Sequence, residues 1–189
     1  GGGNPRGANP QLRALTGLEN RVKRADRMSQ LPSTRYTEPL EVADPAVIDE
    51  ICRFRVEVWA EAGAIREAAF PGGQWRDACD GRSRHWTVRD PSGLMVAAAR
   101  LSLHEHLADV PEADEYRRYG LALCGPIAAP ARVVVHRSAR RHGLAAKLLE
   151  VQDQASRAAG ARYAVRQASP AMIRLLCRRG WTILGPACP

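Results

Sequence analysis

No apolar run in this chain approaches the ~20 residues that a membrane-spanning helix needs, and the opening GGGNPRGANPQ lacks the apolar core of a secretory signal peptide. Both absences lead us to expect a soluble, cytoplasmic protein. Cysteine is sparse: Cys52, Cys79, Cys124, Cys177 and Cys188 are odd in number, stand singly and form no C-x-x-C pair. That argues against a disulfide framework or a zinc site, and no metal is expected. Aromatic residues make up 5% of the chain and no nucleic-acid reader motif is present, which argues against a nucleic-acid partner. Acidic residues stop at Asp153; from Gln154 onward there are six arginines and no Asp or Glu.

The charge that remains is one-sided. The net charge is +8, and residues 1–30, with six basic and two acidic side chains, supply +4 of it. A field of that sign favours an anionic partner: a nucleotide cofactor, an acidic carrier protein or nucleic acid. Hydrophobic residues, 45% of 189, suffice for the core of one domain.

Residues 1–35 read as a flexible basic segment in which Leu12, Leu15, Leu18 and Val22 recur at helical spacing, and residues 36–189 as the folded domain. Asp44-Pro45 has the form of an N-cap followed by proline at the first helical position. Val47, Ile51, Phe54 and Val58 then share one face of a helix expected to run to about Gly63. From Arg84 the period changes. RHWTVRD and LMVAAARLSLHE read as strands joined by the turn DPSG. A long connection, HLADVPEADEYRRYGLALCGPIAAP, shows no clear periodicity apart from a helical PEADEYRRY. ARVVVHR reads as a strand buried on both faces. The next helix carries Leu144, Leu148, Val151 and Ala155 along one side and ends near Gly160. RYAVRQA reads as a strand, SPAMIRLLCRRG as a helix and WTIL as a last strand. The fold class is therefore α/β, a mixed central sheet flanked by helices.

The turn between the valine strand and its helix carries chemistry. A helix N-terminus exposes about four unpaired N–H groups and roughly half a positive charge, so it holds phosphate well. Arg140, Arg141 and His142 add side-chain donors, Gly143 permits close approach of the backbone, and Leu144 and the small Ala145 open the helix. The turn is suited to cradle a pyrophosphate.

Its pattern, Arg140-x-x-Gly143-x-Ala145, resembles the (Q/R)-x-x-G-x-(G/A) signature of the GNAT superfamily of acyltransferases, whose loop binds coenzyme A. The resemblance implies the GNAT fold, and implies a later helix on which Ser169, Met172, Leu175 and Leu176 fall at signature positions ahead of Gly180-Trp181. Leu176 stands where many members carry a tyrosine that protonates the departing thiolate.

A narrower resemblance is to the acyl-homoserine lactone synthases and related N-acyl amino acid synthases. Arg55 with Val58 and Trp59, then Asp77 and Asp80, then Arg100-Leu101, then Arg132, follow that branch's order, and the ending RLLCRRGWTILGP is similar to it. The likeness spans about residues 45–186. It implies an acyl donor that is acyl-CoA, acetyl-CoA or the phosphopantetheine of acyl-carrier protein, and a small-molecule amine as acceptor. Ala129 replaces a glutamate of the lactone synthases, so N-acylation of an amino acid is expected rather than lactone formation.

The residues themselves allow that role. Arg55 lies within an apolar helix stripe and must either snorkel or meet a carboxylate, with Asp77 and Asp80 the nearest in sequence. Such a cluster would frame the acceptor, the aspartates taking its amine and Arg100 or Arg132 its acid, with Trp59 beside them. The resemblance implies that backbone N–H groups of Val133, Val134 and Val135 meet the thioester carbonyl. His104, Glu105 and His106 at the end of a central strand are candidate general bases; the resemblance, whose members often carry a glutamate on this strand, implies Glu105 first, with His104, His106 and the aspartate pair as rivals. Small residues near Ala164 and Ala168 leave room for an acyl chain. Two alternatives stay open: an acetyl-CoA-dependent small-molecule or protein N-acetyltransferase, and a non-catalytic acyl-CoA-binding module.

Overall fold

Helix α1, Pro45–Glu61, begins where an Asp44 carboxylate oxygen accepts a hydrogen bond from the Ala46 N–H at 2.9 Å and Pro45 presets the first turn. The computed structural model describes residues 35–186, so the leucines of the basic segment and Cys188 lie outside the described residues. The described residues fall in two compact units, one ending at Gln167 and one starting at Ala168.

The first unit is built on a five-stranded sheet in the order β1 (Leu40–Val42), β2 (Arg84–Arg89), β3 (Met95–His106), β4 (Cys124–Val135), β5 (Tyr163–Ala164). The first four pair antiparallel and β4 with β5 parallel, giving the expected mixed sheet. The β2–β3 reversal is the DPSG turn, closed by Gly93 N–H to Asp90 O at 2.9 Å. Helix α1 covers one face, burying Ile51, Phe54 and Val58 against Met95, Ala98 and Val134. Helix α3, Leu144–Ala158, covers the other, burying Leu144, Leu148 and Ala155 with Trp86, Ala97, Ala99, Leu101 and Ala128. A third cluster, around Leu107, Val110, Ile127, Ala129 and Val165, includes Tyr116 of the short helix α2, Ala113–Arg117. Each large side chain so buried stabilises by about 1.5–3 kcal/mol.

Strand β4 differs from expectation. It starts at Cys124, inside the stretch that lacked a period, because Gly125, Pro126 and Pro130 hide the alternation. The Pro126 and Ala128 carbonyls accept hydrogen bonds from the N–H groups of Arg162 and Val165, so even-numbered residues there face β5. Prolines at 126 and 130 are tolerated because their missing donors fall on that outer edge. Pro130 has no N–H with which to continue the ladder, and pairing to β5 is confined to Ile127 and Ala128. The expected strand RYAVRQA is thereby reduced to two residues. Beyond Ala128 no strand among the described residues covers the outer edge of β4. Of the valines expected to be buried on both faces only Val134 is buried, and Val133 and Val135 are partly exposed.

The β3–β4 register slips by one residue: Ala98 pairs with Val134, but Arg100 pairs with Ala131. The surplus residue is Arg132, held at φ 55° in the left-handed region, the signature of a bulge that re-aims a side chain.

In the second unit, helix α4, Pro170–Arg178, follows Ser169 and ends where Gly180, at φ 92°, lets the Trp181 N–H reach Leu176 O at 3.1 Å. WTIL, expected as a last strand, forms no strand among the described residues.

Candidate active site

On the α1 face of the sheet, five charged side chains from four segments converge. Arg55 of α1 is fully buried and donates from Nη1 to Asp80 Oδ1 at 2.8 Å and to Trp75 O at 3.3 Å. Arg100 of β3, also fully buried, donates to Asp77 Oδ1 at 2.6 Å and Asp80 Oδ1 at 3.1 Å. Arg132 donates to Asp77 Oδ2 at 3.2 Å. The loop that holds the aspartates is itself fixed: Asp80 Oδ2 accepts from the Asp77 N–H and Asp77 Oδ1 from the Cys79 N–H, both at 2.9 Å. Arg55 has met a carboxylate rather than snorkelled, as burial of its charge requires.

These contacts set the protonation states. Burial opposes ionisation of Asp77, but the Arg100 hydrogen bond and charge outweigh it and bring the carboxyl down to about 2. Burial likewise opposes ionisation of Asp80, and the charge of Arg55, the Asp77 N–H bond and the charge of Arg100 together overcome it and lower the carboxyl from its usual range. His85, paired across the sheet with Arg100, points its Nε2 at Asp80 O, 2.9 Å away; burial lowers its pKa and keeps it neutral. Three guanidiniums thus face two carboxylates, an excess of one positive charge. Arg132 is the member of the cluster's arginines that reaches the surface, its side chain 16% exposed against 0% and 1% for Arg55 and Arg100.

Arg132 also meets aromatic rings. Its guanidinium carbon lies 4.4 Å from the Trp75 ring centroid and 5.8 Å from that of Trp59. Trp75 contacts Trp59 edge-on at 4.4 Å and stacks on Phe70 at 4.8 Å.

Alternation along β3 places Arg100, Ser102 and His104 on this face, and Leu101, Leu103 and Glu105 on the opposite one. His104 is buried, with Nε2 2.8 Å from Ser102 Oγ, and burial lowers its pKa so that the ring is neutral near pH 7. Glu105 and His106 are exposed at the strand end. The structure therefore places Arg100 and His104 on one face of β3 and Glu105 on the other.

The phosphate-type turn forms as a single-residue-wide entry to α3. Gly143, at φ 77°, occupies the N-cap, and Lys147 N–H to Gly143 O at 3.1 Å is a first bond of the helix, leaving the N–H groups of Leu144, Ala145 and Ala146 without intrahelical partners. Arg140, Arg141 and His142 are exposed beside them, with Arg141 at φ 66°. The His136 N–H points to β3, donating to Val96 O, so Val135 turns its backbone to the uncovered edge, where its carbonyl accepts from Arg140 Nε at 3.3 Å. The Arg140–Val135 contact joins the turn to the edge of β4. Exposed cations around unpaired amides fit a diphosphate or phosphopantetheine group.

No protein-family model matches the chain, and no curated protein matches it. Solved structures do. A GCN5-related N-acetyltransferase from Ralstonia eutropha JMP134 is 20% identical, with a TM-score of 0.55 over 80% of this chain and 97% of that one. The fold is the GNAT fold. Other GNAT-fold neighbours are glucosamine-6-phosphate N-acetyltransferase from Arabidopsis thaliana, 11% identical with a TM-score of 0.53 over 82% and 96% of the two chains, and a predicted acetyltransferase from Clostridium acetobutylicum solved with acetyl-CoA, 11% identical with a TM-score of 0.55 over 78% and 90%. Among the described residues of this GNAT-fold chain no helix is long and apolar enough to cross a membrane, and no group of His, Cys, Asp and Glu stands in position to hold a metal ion.

Sequence reasoning missed Trp75, His85, Ser102 and Gln152. Trp75 and His85 flank the recognised Asp77–Asp80 stretch, and His85 sits opposite Arg100 once the β2–β3 hairpin is folded, so register could have found it. Gln152, a fully buried amide on α3, lies on the Leu148–Ala155 stripe and gave a signal as a polar residue in an apolar period.

Proposed function

We propose that this chain is an N-acyltransferase that moves an acyl group from a thioester to the amine of an amino acid or similar small acceptor, in the manner of the N-acyl amino acid synthases it resembles. The observation that carries the reading is the contact between the Arg140–Ala145 turn and the uncovered β4 edge at Val135, which together suit a phosphorylated handle and the thioester arm that follows it. The donor is a coenzyme A thioester or the phosphopantetheine arm of acyl-carrier protein, and it supplies an activated carbonyl. Because the GNAT-fold neighbours are named as acetyltransferases, acetyl-CoA is the first donor to try.

The acceptor is best held at Arg132. The cluster has one surplus positive charge, and Arg132 is its solvent-reaching member, flanked by Trp59 and Trp75. A carboxylate docked there neutralises that charge and sets its α-amine toward β3 and β4. His104, neutral and on the same face, takes the proton from the amine as the C–N bond forms and the C–S bond breaks, and the thiolate leaves. Glu105 is the rival base from the strand end. Arg55, Arg100, Asp77 and Asp80 hold the loop and Arg132 in place.

Release of free thiol from acetyl-CoA, longer acyl-CoA and acyl-carrier protein, screened against a panel of amino acids with mass spectrometry of the products, tests the reading. An N-acylated amino acid supports it. Donor binding without product under every pairing would leave a thioester-binding module and overturn the proposal.

A further inference from the structure

Gln152 projects from the middle of α3 into the sheet, fully excluded from solvent, and spends both amide protons on backbone carbonyls: Arg100 O at 2.6 Å and Ala131 O at 3.0 Å. These two residues are cross-strand partners at the edge of the β3–β4 bulge. Arg100 is the buried guanidinium that holds both aspartates, and Ala131 immediately precedes Arg132, the left-handed surplus residue. Two carbonyls bound from the α3 side fix the point at which the sheet opens for the extra residue, while the charged side chains leave on the α1 face.

We propose that Gln152 is a positioning residue, a clamp from the anion-binding helix onto the β3–β4 bulge that aims Arg132 and Arg100 at the acceptor side of the sheet. An apolar residue would pack as well in the stripe, and the amide oxygen Oε1 is left buried without a partner. A buried amide kept at that cost is explained by the two carbonyls it serves. The kinetic part of the proposal rests on the acyltransfer reading; the placement of Arg132 does not.

The test uses the full chain carrying 5-fluorotryptophan, whose Trp59 and Trp75 resonances report the Arg132 guanidinium lying against their rings. Arg132→Met sets the size and sign of the change expected when that guanidinium is lost. Gln152→Met, which keeps the volume and removes both donors, should move the Trp75 resonance in the same direction and by a comparable amount. Gln152→Asn, which retains an amide but draws it back from the carbonyls, should do likewise and serves if the methionine variant does not fold. Where turnover is measurable, the variants should raise acceptor KM or lower kcat by about tenfold to a hundredfold and leave binding of coenzyme A to the Gly143 end of the helix unchanged. A lower melting temperature with the Trp75 resonance at its wild-type position would reduce Gln152 to a packing role and overturn the proposal. If the wild-type chain turns over no thioester, the acyltransfer reading fails while the fluorine shift still decides the clamp.

Discussion

The Arg55 guanidinium and the Asp80 carboxylate meet at 2.8 Å with both side chains wholly excluded from water. Asp80 is the carboxylate that Arg55 meets, while Asp80 also meets Arg100: α1 presents the arginine inside an apolar stripe, and the loop before β2 seals the aspartate beneath it. Removing one partner leaves a dry charge uncompensated, which costs about 3–5 kcal/mol. Asp80→Ala strips Arg55 of its carboxylate partner and Arg100 of one of two, and should unfold at markedly lower urea. Arg55→Met leaves Asp80 the Arg100 contact at 3.1 Å and should cost less. Equal midpoints for the two variants would contradict this hierarchy.

Acid should weaken the fold in two stages. Asp77 and Asp80 ionise below their unfolded range of about 4, so the stability they contribute is complete above that pH and is lost as pH falls from about 4 toward 2. His85 and His104 also have lowered pKa values, and the unfolded chain binds their protons more readily, so stability falls as pH drops below about 6.5. Urea unfolding from pH 8 to pH 3 should show both declines, and His85→Gln should flatten the upper one.

His104→Gln should lower kcat by about a hundredfold, in line with loss of a general base, and the acid limb of kcat/KM should lie below the ordinary histidine value. Glu105→Gln should change kcat about twofold or less, because its strand position faces the other side of the sheet. The reverse ranking in steady-state kinetics would move the base to Glu105.

Gly143→Val should abolish retention of coenzyme A in equilibrium dialysis while preserving the circular dichroism spectrum. A Cβ at this position meets nothing within 4 Å, so the effect is not a collision. It is the cost of φ 77° for a β-branched residue, about 1–2 kcal/mol, relieved by rotating the amides away from the ligand.

Much of this was readable from residue order. The helix at Pro45, the DPSG hairpin and the α3 stripe follow local rules, and Arg55, Asp77, Asp80, Arg100 and Arg132 do come together. What stayed hidden was set by pairing rather than propensity. The early half of β4 is masked by Gly125, Pro126 and Pro130, the brevity of β5 follows from a missing donor at Pro130, and the separation of Glu105 from His104 depends on which face of β3 meets α1. The partners of Gln152 are backbone carbonyls on two strands, which a single chain read in order does not name.

The surplus residue in β4 has a bearing on how the chain finds its native state. Asp77 and Arg132 are 55 positions apart, so their contact waits until β3 and β4 have zipped together. A slip of one place in that zipper would misalign Arg100 with the aspartate loop and leave the buried Asp80 and Arg55 without that guanidinium beside them. Misaligned hairpins are thus penalised by ionic mismatch as well as by misplaced apolar groups, and the residues proposed to greet the acceptor double as a proofreading lock on assembly.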